Sequence, residues 1–281
     1  YPIVDGSTST EPLQMIIACH LLDVDYVWGY HPFFCNYPYH VIPACDIKSD
    51  VGRYITERIH HAGTHGSYMN LINKNADIIL VARTASEDEL HEADSLGVNL
   101  IEMPVALDAF VFLNNMRNPV NTLSTKQIQD IYTGQITRWN EVGGEDADLH
   151  PYQRNENSGS QELMKALVMK DLEMPYLPDM IAYGMMGLVN MIEIDHLGIG
   201  YSVNFYTQNM VRSDSVKLIS VDNVYPDYNA IKERKYPYTT EVFAVIREDL
   251  LEYSTAHKLF ELLIENPGQS VIKESGYIPY H

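Results

Sequence analysis

Short apolar runs alternate with helical periodicity along almost the whole chain, and this alternation restricts the possible folds more than any single motif does. Ile78-Ile79-Leu80-Val81, Ala109-Phe110-Val111-Phe112-Leu113 and Glu241-Val242-Phe243-Ala244-Val245-Ile246 are too short for buried helices and rich in β-branched and aromatic residues, so they are expected as strands. Further strands are expected at residues 3–5, 99–103, 199–201 and 216–219. Between them, 3.6-residue periodicity predicts helices over residues 11–22, 48–59, 67–74, 87–96, 125–132, 160–170, 188–194, 254–265 and 268–274. Strand and helix in alternation predict an α/β fold. No repeat, low-complexity tract or Gly/Ser linker interrupts the pattern.

Three of the expected helices open from turns rich in hydroxyls and glycine. In Arg154-Asn155-Glu156-Asn157-Ser158-Gly159-Ser160, an arginine stands four residues ahead of a Ser-Gly-Ser turn. The first N–H groups of a helix have no internal partner and carry the positive end of its dipole. Ser158 and Ser160 add donors, Gly159 allows close approach to the backbone, and Arg154 offers a bidentate fork, a combination suited to a small oxyanion. The competing reading is an ordinary Ser N-cap with Arg154 paired to Glu156. The same style recurs at Gly6-Ser7-Thr8-Ser9-Thr10-Glu11-Pro12 and at Gly63-Thr64-His65-Gly66-Ser67. One such turn is a cap, whereas three suggest convergence on one ligand.

At 281 residues the chain can bury a large core, as one large domain or two of ordinary size. Its net charge of -19 argues against nucleic acid, which needs clustered Lys and Arg, but not against a small anion held at contact distance by local dipoles. There is no run of eighteen apolar residues. A start at Tyr1, without a basic and apolar leader, is expected for a chain from which any targeting segment has been removed. Of the three cysteines, Cys35 and Cys45 could bridge, and Cys19 is expected as a small buried hydrophobe.

Proline-bearing, turn-rich stretches stand at residues 103–108 and 225–238. Crossings between lobes at both places would put residues 1–106 and 236–281 in one lobe and 107–235 in the other, with a hinged ligand cleft between them. A single doubly wound domain with a bent sheet is the alternative.

Several segments then resemble a known family. Gly6-Ser7-Thr8-Ser9-Thr10-Glu11-Pro12, the stretch from Leu123 through Ile131-Tyr132-Thr133-Gly134-Gln135-Ile136-Thr137-Arg138-Trp139-Asn140, the Arg154 motif, Gly198-Ile199-Gly200-Tyr201 and the C-terminal residues 265–280 are similar to phosphate-type substrate-binding proteins of ABC transporters. The resemblance runs in order over nearly the whole chain. It implies a two-lobed periplasmic-binding-protein type II fold and a non-enzymatic, extracytoplasmic receptor, secreted or lipid-anchored. Such a receptor, a monomer without a cofactor, delivers phosphate or a similar oxyanion to an ABC permease. Carried over by motif, the ligand-binding residues are Thr8, Ser9, Thr64, Arg154, Ser158, Gly159 and Ser160, with Ser7, Thr10, His65, Ser67 and Arg83 as secondary candidates.

One departure stands out. Phosphate-specific members resembled here carry an aspartate after the strand that reads Ile78 to Val81, where this chain has Ala82-Arg83-Thr84. An acceptor-only carboxylate rejects fully deprotonated anions, so its absence predicts that sulfate competes. Should sulfate fail to compete, another acceptor, Asp5 or Glu11, must do the work. Arg83 is expected either to add positive charge for a different anion or to face solvent. A receptor for another small anion, or a ligand-gated sensor or surface interaction protein with the same fold, are the alternative functions.

Other constellations carry less. His61 and His65 have i, i+4 spacing, but Gly63 and Thr64 predict a turn between them and no carboxylate or cysteine stands at ligand spacing, so no metal site is expected. Ser158 lacks the glycine of a nucleophile elbow two residues upstream, and Gly198-Ile199-Gly200 lacks the third glycine of a dinucleotide fingerprint, which leaves tight strand packing.

Overall fold

Ile78–Val81 is buried along its whole length, as a continuous apolar run must be when both faces of its sheet are covered. The computed structural model describes residues 1–30 and 38–281 of the chain. It divides into two units, Tyr1–Asp108 with Thr240–His281, and Ala109–Thr239.

In the first unit, Val4–Gly6 pairs parallel to Ile78–Val81, with Asp5 opposite Ile79 and Gly6 opposite Leu80. A parallel pair needs a crossover, and the helices Glu11–Leu22, Asp50–Thr56 and Gly63–Ile72 lie in that connection. Strand Thr239–Arg247 flanks Ile78–Val81 on its other side, antiparallel. Tyr68, Leu71, Ala76, Ile79, Val81 and Val245 form one core cluster between these elements. Helix Glu11–Leu22 begins with Pro in its first turn and buries Leu13, Ile16, Ile17 and Cys19, so Cys19 is indeed a core residue. Cys35 lies outside the described residues, and with it the expected bridge to Cys45.

The second unit is built on residues 109–115 of the strand Leu100–Asn115. Gly198–Val203 pairs antiparallel on one side and Val216–Val221 on the other. Phe110, Phe112, Tyr132 and Tyr201 meet there with ring centroids 5.4 to 6.4 Å apart. Each such aromatic pair contributes roughly 0.5–1.5 kcal/mol beyond its burial. Ser124 and Gln127 form a reciprocal capping box that starts Thr125–Tyr132. Trp139 is fully buried and donates from Nε1 to the Leu197 carbonyl at 2.8 Å, so the family-like segment around it is structural. Gly200 is tight strand packing as expected: a Cβ there would come within 2.6 Å of Leu188.

Two expectations about local structure need correction. Residues 103–108 are not a turn, because Leu100–Asn115 is one strand of 16 residues. Proline fits an extended backbone, and Pro104 precedes the Ala106 and Leu107 positions that pair with Ile278–Pro279. Finally, the glycine-rich turn at residue 63 does not precede its helix but forms the first turn of Gly63–Ile72.

Candidate functional site

The second unit holds a buried arginine with no charge partner among the described residues. Arg154 ends the short strand Gln153–Arg154, which pairs parallel to Ile181–Ala182. Its backbone N–H donates to the Tyr201 hydroxyl at 3.0 Å and to Gln161 Oε1 at 3.2 Å, and its Nε donates to the Ala182 carbonyl at 3.2 Å. Tyr201 also bonds Gln161, so the backbone of Arg154, the following helix and the Tyr201 strand are joined by one polar knot. Arg154 is only 8% exposed. Among the described residues it makes no ion pair with a carboxylate, and the expected alternative pairing with Glu156 does not form. Burial pulls its pKa below the ordinary arginine value, only partly offset by Tyr201 and Tyr206. A buried cation that keeps its charge needs an anion or several acceptors.

Beside it, Asn157 takes a left-handed conformation (φ 61°), which asparagine tolerates, and turns the chain into the helix Gly159–Leu163. That helix continues as a π-helical stretch over Met164–Met169, so the periodicity read at residues 160–170 is one continuous helical segment of two pitches. Ser158 is the N-cap and accepts from the Gln161 N–H at 3.2 Å. The ordinary-cap reading is therefore correct for its oxygen, while its O–H remains a donor. The N–H groups of Gly159 and Ser160 lie at the first helical positions, where no intrahelical acceptor exists.

In the first unit, strand Val4–Gly6 leads into a single 3-10 turn, Thr8–Thr10, and then into Glu11–Leu22. Gly6 is required there, since a Cβ would meet the Leu80 carbonyl, Gln14 and, at 2.7 Å, the Thr10 hydroxyl. Thr8 is half-buried, and the Ser9 hydroxyl is buried without a hydrogen-bond partner among the described residues. Ser7 Oγ and Thr64 Oγ1 lie 2.9 Å apart although 57 residues separate them, and Ser7 Oγ also accepts from the Ala82 N–H at 3.2 Å. Of the two hydroxyl hydrogens in this pair, one lies between the oxygens and the other is left to an outside acceptor.

Four secondary candidates have partners within the protein. Thr10 donates its hydroxyl to the Leu80 and Ser7 carbonyls (2.6 and 2.9 Å) and accepts from Gln14. Ser67 lies 3.0 Å from Asp5 Oδ1 and 2.9 Å from the Gly63 carbonyl. Arg83 neither faces solvent nor offers free charge: it is 6% exposed and binds Glu89 bidentately at 2.7 and 2.8 Å. His65 stands on the same carboxylate at 3.0 Å, whereas His61 faces Glu11 at 3.9 Å. The two rings that share i, i+4 spacing thus turn to different partners. Burial pushes the Glu89 carboxyl up, but the bonds and charge of Arg83, the Ser86 N–H and His65 outweigh it, so Glu89 sits below the ordinary carboxylate range. Asp5 is saturated as well, by the N–H groups of Gly6 and Ala62, Ser67 and Asn70.

This geometry fits a protein that holds a small anion, and comparison with known families agrees. The model of the PBP superfamily domain matches residues 55–260. The chain belongs to the PBP superfamily. Its relatives include the phosphate-binding protein PstS of Borreliella burgdorferi, 22% identical over 214 residues, which are 74% of each chain. PstS of Staphylococcus epidermidis is 24% identical over 227 residues, 77% of this chain and 68% of that one. Among solved structures, a Clostridium perfringens protein with bound phosphate aligns with a TM-score of 0.73 at 22% identity, over 99% of this chain and 98% of the other. An ABC-type phosphate transport receptor of Vibrio cholerae aligns with a TM-score of 0.66 at 19% identity, over 98% of both. These likenesses establish the α/β periplasmic-binding fold.

Two residues that the sequence does not single out, Gln161 and Tyr201, hold the Arg154 backbone. Gln161 stands three residues after Ser158, and Tyr201 closes the Gly198-Ile199-Gly200-Tyr201 segment, which carries the resemblance and the expectation of tight packing. Their bonds to the Arg154 N–H join positions 7 and 47 residues apart, which no local pattern announces. No helix among the described residues is long and apolar enough to cross a membrane.

Proposed function

We propose that this protein is an extracytoplasmic solute receptor, secreted or lipid-anchored, that captures phosphate as a monomer and hands it to an ABC permease without turning it over. The observation that carries this reading is Arg154, a buried arginine whose backbone N–H is held by Gln161 and Tyr201, whose Nε donates to the Ala182 carbonyl, and whose guanidinium has no carboxylate partner among the described residues. Beside it the Ser158 hydroxyl and the Gly159 and Ser160 N–H groups supply donors that suit tetrahedral oxygens. In this reading Thr8, Ser9 and the Ser7–Thr64 pair are the donors that the first unit offers to an anion. The PstS relatives and the phosphate held by the Clostridium perfringens protein favour phosphate over other oxyanions. Hydrolytic chemistry finds no support, because Ser158 is engaged as a helix cap with a backbone N–H and not with a base.

Calorimetry with inorganic phosphate tests the reading. The wild type is expected to bind phosphate and Arg154→Ala to lose most of that affinity. A wild type that shows no phosphate heat, or an Arg154→Ala variant with the wild-type constant, would overturn it.

A further inference from the structure

We infer that Glu11 is the group that selects a protonated oxyanion, an inference that rests on the phosphate-receptor reading above. The first unit has several carboxylates near the hydroxyl-bearing turns, and their bonding separates them. Asp5 accepts four hydrogen bonds, from Gly6, Ala62, Ser67 and Asn70. Glu89 is held by Arg83, His65 and the Ser86 N–H. Glu11 is different: its Oε2 is buried and has no hydrogen-bond partner among the described residues, and its Oε1 has only His61, at 3.9 Å.

The position of Glu11 gives that unsatisfied oxygen a meaning. Glu11 directly follows the Thr8–Thr10 turn as the first residue of its helix. His61, its neighbour in space, stands two residues ahead of the helix Gly63–Ile72 and three ahead of Thr64. The carboxylate therefore lies at the junction of the two segments that the Ser7–Thr64 hydrogen bond also joins. At this junction hydroxyls can donate to the oxygens of an anion, and one carboxylate oxygen can only accept. A buried carboxylate oxygen without a donor is costly, and a like-charged lone pair brought against it is costlier. Phosphate keeps at least one proton on oxygen at neutral pH and can donate it to Glu11 Oε2. Sulfate has none to give. Glu11 thus restores the discrimination that the Ala82-Arg83-Thr84 segment does not provide, where Glu89 is locked on Arg83 and Glu102 accepts from the Ala85 N–H and the Tyr68 hydroxyl.

The test is a pair of titrations, inorganic phosphate and then sulfate in competition, on the full chain at neutral pH. With wild type, sulfate in large excess is expected not to displace phosphate. Glu11→Gln keeps the shape and adds an N–H donor, so sulfate should compete and the phosphate-to-sulfate ratio should fall at least about tenfold, the scale of one hydrogen bond to a charged group. Glu11→Asp keeps the charge and should keep excluding sulfate, which guards against a Gln variant that fails to fold. A Gln variant with the wild-type ratio, or a wild type that already binds sulfate as it binds phosphate, would overturn the inference while leaving phosphate binding itself intact. A wild type that binds neither anion would overturn the receptor reading and this inference with it.

Discussion

Arg83 and Arg154 are almost equally buried, 6% and 8% exposed, yet electrostatically they are opposites. Arg83 shares a bidentate bond with Glu89, stacks over the Tyr68 ring at 5.6 Å and forms part of the core of its unit. The Nε of Arg154 donates to the Ala182 carbonyl and its backbone N–H to a phenol and an amide oxygen, and among the described residues no carboxylate compensates its charge. Burial alone therefore does not mark a functional arginine; burial without a counter-charge does.

Breaking the paired arginine should have the largest effect, and the effect should be on stability. Glu89→Ala leaves Arg83 charged, buried and alone, which is expected to destabilise the fold by about 3–5 kcal/mol. Chemical denaturation measures it, and loss of less than about 1 kcal/mol would show that Arg83 re-solvates easily. Replacing both partners by apolar residues of similar volume, Arg83→Met with Glu89→Leu, should recover much of that loss.

The unpaired arginine should respond the other way round. Arg154→Ala is expected to lose about 2 kcal/mol or more of phosphate binding while folding stability stays the same or rises, since an uncompensated buried charge has been removed. Calorimetry and thermal melts without ligand, run on the same samples, separate the two quantities. In the wild type phosphate should raise the melting temperature by mass action, and in the variant it should not.

A smaller effect should come from the brace. Tyr201→Phe removes the hydroxyl that accepts from the Arg154 N–H at 3.0 Å and bonds Gln161, so phosphate binding is expected to weaken by about 1 kcal/mol with the fold intact. An unchanged constant would mean that Gln161 on the backbone N–H and Ala182 on Nε suffice to hold Arg154.

The smallest predicted change is in the acid limb of stability. Glu89 sits below its ordinary value of 4.5, so its stabilising contribution is fully present above that value and is lost as pH falls through the lower folded value. Glu89→Gln should flatten melting temperature against pH below about 4.5, and an unchanged slope would assign the acid loss to other carboxylates such as Asp195.

Much of this could be read in the chain because it is local. Ser49, Ser124, Ser158 and Ser254 each cap a helix through a hydrogen bond to a backbone N–H three residues on, within reach of sequence pattern alone. Pro104 misled because proline is read first as a turn signal, while its φ suits an extended strand equally well.

By itself, then, the sequence determined the alternation of strand and helix, the three hydroxyl-bearing turns and the arginine ahead of the Ser-Gly-Ser cap, since propensity and capping act within a few residues. Only the tertiary structure decided which charges are free. Arg83 meets Glu89 six residues on because a helix start brings the carboxylate back; Arg154 meets Tyr201 across 47 residues, and Asp5 fills its valences with donors 57 to 65 residues away. Counter-charge and hydrogen-bond saturation depend on distances of a few ångströms between segments remote in the chain. The same residue type can therefore be a core fastening at one position and an anion's anchor at another.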